Sequence, residues 1–234
     1  MMIGLASGSW AKIAAAHPAV ESLTVVEINP GYLTILERYA GGRALMADPK
    51  VDIVIDDGRR WLRRHPDERF DAIVMNTSYH WRSHMSGLLS VEFLELAKAH
   101  LAEGGILFYN TTGSTRVQKT GLASFEHGVR IFNFLMVSDA PLRPDKERWR
   151  RLLEGYTIDG RKVLDLEKPK HRDALEGLLR HLDLLEAGRA PKKGMESKAT
   201  LWPKVKDESV ITEDNMGTEW RYDFIMDRLY HEKD

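Results

Sequence analysis

The run from Ile3 to Asp57 constrains this chain more than any other, and its centre is the turn Gly4-Leu5-Ala6-Ser7-Gly8-Ser9. An apolar stretch, Met1 to Leu5, feeds the turn. An Ala-rich helical segment follows from Trp10 to Ala16, and a second apolar stretch, Leu23 to Val26, ends in Glu27. Strand, glycine turn, helix, strand and acidic residue is the order of a nucleoside-binding βαβ unit. Glycines let the backbone come close to a ligand, and a helix start offers free N–H groups. Glu27 follows Gly8 by about 20 positions, where a ribose-holding carboxylate is expected.

The same alternation continues downstream. Asn29-Pro30 reads as a helix start, and the helix after it is expected to bury Tyr32, Leu33, Leu36 and Tyr39 and to stop at Gly41-Gly42. Val51 to Ile55 is a third strand, and Asp57 caps a short helix from Arg59 to Arg64. Phe70 to Met75 is a fourth strand that opens into the loop Asn76-Thr77-Ser78-Tyr79-His80-Trp81-Arg82-Ser83-His84. Ser90 caps an amphipathic helix carrying Phe93, Leu94, Ala97 and Leu101, ended by Gly104-Gly105. Ile106 to Tyr109 is a fifth strand, with one or two more between Gly128 and Ser138. Such alternation predicts an α/β fold: a doubly wound, mostly parallel Rossmann-like sheet with helices on both faces. Gly4, Ser7, Gly8, Glu27, Ile28, Asp57, Gly58 and Asn76 then all fall at the carboxyl ends of strands, where such sheets bind ligands.

The domain is expected over residues 1–141. A helical extension follows over 142–186, carried by the Leu175, Leu178, Leu179, Leu182 and Leu185 stripe, so that the carboxy-terminal part is irregular and helical. Residues 187–206, rich in lysine, glycine and proline, read as a flexible linker, and 207–234 as a tail packing back, with a short helical stretch through Trp220 and Phe224. A net charge of −1 argues against nucleic acid, and the absence of cysteine excludes disulfides and thiolate chemistry. No apolar run approaches the ~18 residues of a membrane span, so a cytoplasmic location is expected. The first strand leaves almost nothing before its turn, against ~5–6 residues for an average strand. The chain therefore reads as a piece of a longer protein.

Several segments together resemble the spermidine synthase (aminopropyltransferase) family, which has a class I methyltransferase-type fold. They are Ile3 to Gly8, His17 to Leu23, Val26 to Pro30, Ile55 to Gly58, Phe70 to Val74 and Leu101 to Leu107. The resemblance extends over about Met1 to Pro141, and the Thr212-Glu213-Asp214 tail resembles that of long bacterial relatives fused to membrane helices. It implies polyamine biosynthesis and a cofactor that is S-adenosylmethionine or its decarboxylated form; His80 and His84 have the spacing of a metal pair but no evident third ligand, so no metal is expected. Glu27 would grip the ribose hydroxyls, Asp57 would accept from the adenine amino group, and the Gly4–Gly8 backbone would line the cofactor's tail. A homodimer is compatible with it.

The departures concern the acceptor. The family's glycine-turn aspartate is replaced by Ser7, and its loop Asp-Ser-Ser-Asp-Pro by Asn76 to His80, so both acids are gone. Neutral Asn76 can hydrogen-bond an amine but cannot serve as a base. His80 is then the expected base, with Asn76 and Tyr79 beside it. Ser78, Trp81, Arg82 and His84 would shape the pocket of a small-molecule acceptor, anionic or carbonyl-bearing if Arg82 points inward. The expected function is transfer of an aminopropyl or methyl group to that acceptor. The alternatives are an inactive nucleoside-binding domain, serving as a sensor or as the soluble part of a membrane protein, and a nicotinamide dehydrogenase that lacks the full glycine pattern.

Overall fold

A computed structural model describes residues 1–76, 79–189, 194–217 and 219. Their centre is an eight-stranded sheet in the order β10-β6-β7-β5-β4-β1-β2-β3. Five strands are parallel: β1 (Met2–Ile3), β2 (Leu23–Glu27), β3 (Val51–Ile55), β4 (Phe70–Met75) and β5 (Leu101–Asn110). The β6 (His127–Ile131) and β7 (Phe134–Ser138) hairpin adds to β5 antiparallel, and β10 (Met195–Ser197) adds antiparallel to β6. Met2 pairs with both Val25 and Val74, so β1 lies between β2 and β4. The chain leaves β1 for β2 and β3 on one side, then returns to β4 and β5 on the other. That reversal opens a crevice at the carboxyl ends of the strands.

Helices cover both faces. On one side α1 (Ser9–Ala15), α2 (Gly31–Glu37) and α3 (Ala40–Met46) close over Met2, Leu5, Val25, Leu36 and Leu45. On the other lie α4 (Gly58–Arg64), α5 (Ser86–Leu89), α6 (Val91–Ala99), α7 (Thr115–Ser124) and α10 (Lys198–Val205). They bury Leu62, Ile73, Phe93, Leu94, Leu107, Tyr109 and Leu122. A third cluster joins α9 (Pro169–Glu186) to the sheet edge through Val129, Leu175, Leu179, Leu182 and Met195, with Trp149 and Leu153 of α8 (Lys146–Gly155) packed against it. A small hairpin, β8 (Thr157–Ile158) and β9 (Arg161–Lys162), stands apart.

Four expectations are corrected. Gly41-Gly42 does not stop a helix: α2 ends at Glu37, and both glycines lie in the first turn of α3. A Cβ on Gly42 would sit 2.2 Å from the Leu36 carbonyl oxygen, so glycine here serves close helix packing. Tyr39, at the break between the helices, is exposed. Leu101 and Gly104-Gly105 belong to β5, because α6 stops at Ala99 and Gly104 takes φ +75° in an irregular strand start. The expected linker, 187–206, holds β10 and α10. Its order comes from Glu196, 1% exposed, which bonds Arg130 of β6 and Lys204 of α10. The helical stretch expected through Trp220 and Phe224 lies outside the described residues.

Candidate active site

A cavity of about 840 Å3 opens over the tips of β1 to β4. One wall is built from Gly4, Ala6, Glu27, Ile28, Asn29, Tyr32, Asp57 and Gly58. Glu27 ends β2 and is 4% exposed. Its Oε2 accepts from the Leu5 amide at 2.6 Å and the Ala6 amide at 3.4 Å, while Oε1 accepts from the Asn29 amide at 2.8 Å. A carboxylate offers about four lone-pair sites, so Glu27 ties the glycine turn in place and keeps capacity toward the cavity. Gly4 takes φ +93°, and a Cβ built on it would meet nothing within 4 Å, so its Cα faces open space.

Asp57 precedes α4 with extended backbone, and its Oδ1 accepts from the Arg60 amide at 2.8 Å. Its carboxylate thus caps the helix and faces the cavity at once. Asp56 turns aside to Arg60 and Arg64.

Ser7 and Gly8 do not line the cavity. The Ser7 hydroxyl bonds Ser9, its carbonyl accepts from the Tyr39 hydroxyl, and a Cβ on Gly8 would press on Leu36 and Leu45 at 2.9 Å. The turn therefore approaches the cavity with its first half and packs with its second.

The opposite wall is formed by Asn76, by Ser83 to Leu88, and by Glu213, Met216 and Glu219. Asn76 follows β4, and its Oδ1 accepts from Asn110 Nδ2 at 3.4 Å. His84 lines the cavity in a left-handed conformation, φ +63°, uncommon for a side-chain-bearing residue. Tyr79, His80, Trp81 and Arg82 do not line it. Tyr79 stacks on Trp81 at 4.5 Å, Arg82 lies 5.5 Å over the Tyr79 ring, and His80 meets Trp81 edge-on. Burial pulls the His80 pKa below the ordinary imidazole value, which leaves the ring neutral at pH 7. Ser78 lies outside the described residues.

Among the lining residues that sequence reasoning did not assign to the site are Arg59, Ser86, Glu213 and Glu219. Arg59 pairs with Glu213 and donates to the Gly87 carbonyl, while its buried Nε has no partner. Glu219 is 8% exposed and accepts from the Ser86 amide at 2.5 Å, across 133 positions of sequence. Only the resemblance of Thr212-Glu213-Asp214 to relatives' tails hinted at this wall.

Residues 2–138 match the family described as spermine/spermidine synthase domain. The chain belongs to that family. A polyamine aminopropyltransferase of Agathobacter rectalis is 33% identical over 110 residues, which cover 47% of this chain and 38% of that protein. The spermidine synthase of Dictyostelium discoideum is 32% identical over 108 residues, covering 46% and 37%. The aligned part thus spans less than half the length of either relative.

Among solved structures, a spermidine synthase bound to the transition-state analogue AdoDATO matches with TM-score 0.58 and 20% identity, over 76% of this chain and 68% of that one. Spermidine synthase from Thermotoga maritima matches with TM-score 0.57 and 19% identity, over 76% and 67%. At these identities the likeness establishes the Rossmann-like fold alone. Among the described residues, no helix is long and apolar enough to cross a membrane, and no cluster of metal-ligating side chains is present.

Proposed function

We propose that this chain binds decarboxylated S-adenosylmethionine and transfers its aminopropyl group to a small acceptor. The observation that carries the reading is the composition of the cavity wall. Among the described residues Glu27, Asp57, Glu213 and Glu219 all face the cavity, while its one guanidinium, Arg59, is already paired with Glu213. Such a wall suits a ligand bearing a sulfonium and an ammonium. Among the described residues it offers no unpaired guanidinium for the carboxylate that S-adenosylmethionine would add, which weighs against methyl transfer.

In this reading Glu27 holds the ribose hydroxyls, Asp57 and Gly58 meet the adenine, and Gly4 and Ile28 bound the space between. The sulfonium supplies a neutral thioether leaving group when bound, so the protein's task is to align the nucleophile and receive a proton. Alignment can supply the larger share of the rate. Asn76, on the wall at the end of β4, orients the acceptor.

Calorimetry with three ligands tests it. Decarboxylated S-adenosylmethionine is expected to bind more tightly than S-adenosylmethionine, with no heat from NAD. Binding of neither sulfonium removes the transferase reading. Tighter binding of S-adenosylmethionine reverses the choice of transferred group.

A further inference from the structure

The family's loop acids are replaced by Asn76 and its neighbours, yet the cavity wall facing the acceptor is not short of carboxylates. They come from the opposite end of the sequence. Of the four acidic side chains facing the cavity, two serve the nucleoside in the reading above and a third is already paired with a cation. Glu27 is tied to the glycine turn by three amides. Asp57 caps α4, and Glu213 is neutralised by Arg59.

Glu219 differs. Its Oε1 accepts from the Ser86 amide, and among the described residues no group bonds its Oε2. The side chain is more than nine-tenths buried, and it lines the same cavity as Asn76 and His84. A largely buried carboxylate with one oxygen open to the cavity favours a cation there. The Ser86 amide fixes its direction, so little side-chain entropy is left to lose on binding.

We propose that Glu219 is the specificity-determining residue that holds an ammonium group of the acceptor, doing from the carboxy-terminal segment what a loop acid does elsewhere in the family. This rests on the transferase reading above, and it makes the acceptor a cationic amine. Arg82, which would have argued for an anionic acceptor, stacks on Tyr79 outside the cavity wall.

The test uses the full chain saturated with methylthioadenosine, the nucleoside thioether left after aminopropyl transfer. Two probes of one shape are titrated by calorimetry: 1,4-diaminobutane, doubly cationic, and 1,4-butanediol, neutral. The parent chain is expected to prefer the diamine. Glu219→Gln keeps an oxygen for the Ser86 amide, so its melting curve stays with the parent's and its methylthioadenosine affinity is unchanged. Its preference for diamine over diol is expected to fall at least tenfold.

A merely structural Glu219 would weaken both probes alike, and equal loss of the two overturns the proposal. So does an unchanged preference in Glu219→Gln with methylthioadenosine still bound. Should methylthioadenosine fail to bind the parent chain, the transferase reading falls first and this inference with it.

Discussion

The two walls of the cavity are built in opposite ways. On the wall proposed for the nucleoside the carboxylates are set by neighbours close in sequence or one strand away: Glu27 by the turn 22 positions before it, Asp57 by the amide three positions on. On the acceptor side the contacts join distant parts of the chain, Ser86 to Glu219 and Arg59 to Glu213. The first wall comes with the βαβ unit and is in place wherever that unit folds. The second is completed only when the carboxy-terminal segment docks against Asn76 and residues 83–88. Changes to the first should therefore alter stability and nucleoside binding together, whereas changes to the second should alter acceptor recognition with the fold intact.

The largest effect expected is that of Glu27→Ala. It removes the acceptor of the buried Leu5 amide along with two other bonds, and an unsatisfied buried donor costs about 1–3 kcal/mol. Urea unfolding should show a loss of about 3 kcal/mol, and methylthioadenosine binding should vanish. A parent-like midpoint would mean that the turn is held by something else, and the contrast between the walls would lose its basis.

Gly4→Ala comes next. At φ +93° an L side chain is strained by about 1–2 kcal/mol, and the new methyl points into open cavity. Nucleoside affinity should fall about tenfold, equivalent to 1.4 kcal/mol, with the fold retained. An unchanged affinity would place the ligand elsewhere on the wall.

These two residues were legible because their signals are local. A glycine turn after an apolar strand, and an acid at the end of the next strand, are written within one short stretch. The mostly parallel, doubly wound sheet followed for the same reason, as did the Asp57 and Ser90 caps, both of which accept from the amide three residues on. What escaped is tertiary. Nothing near Glu219 in sequence announces that it meets Ser86. The lysine-rich stretch around β10 resembled a linker because the Glu196 ion pairs that order it involve Arg130, far away in the chain. His80 drew attention by residue type, and only the three-dimensional arrangement reveals that it packs on Trp81.

Asp57 separates the two jobs of one side chain on the nucleoside wall. Asp57→Ala should cost about 1 kcal/mol through the lost cap of α4, and Asp57→Ser should return most of that, since serine caps nearly as well. Neither variant restores a carboxylate to the cavity, so both should bind adenosine ligands equally weakly. Thermal melts and calorimetry on the pair decide it. Recovery of binding in the serine variant would reduce Asp57 to a cap.

The smallest effect belongs to His80. Burial depresses its pKa in the folded chain, while in the unfolded chain it titrates near the ordinary value of about 6.5. Below that pH the unfolded state takes up the proton more readily, so the contribution of neutral His80 is complete above about pH 7 and fades as the medium is acidified. His80→Gln should flatten that part of the stability profile between about pH 7 and 5, with nucleoside affinity within twofold of the parent, because the ring lies off the cavity wall. The turnover arm is the sharper one. A general base is worth about 10²–10⁴-fold, so a rate within a few-fold of the parent assigns His80 to packing against Trp81. A loss in that range would instead bring the loop onto the acceptor wall and make that wall a product of two segments.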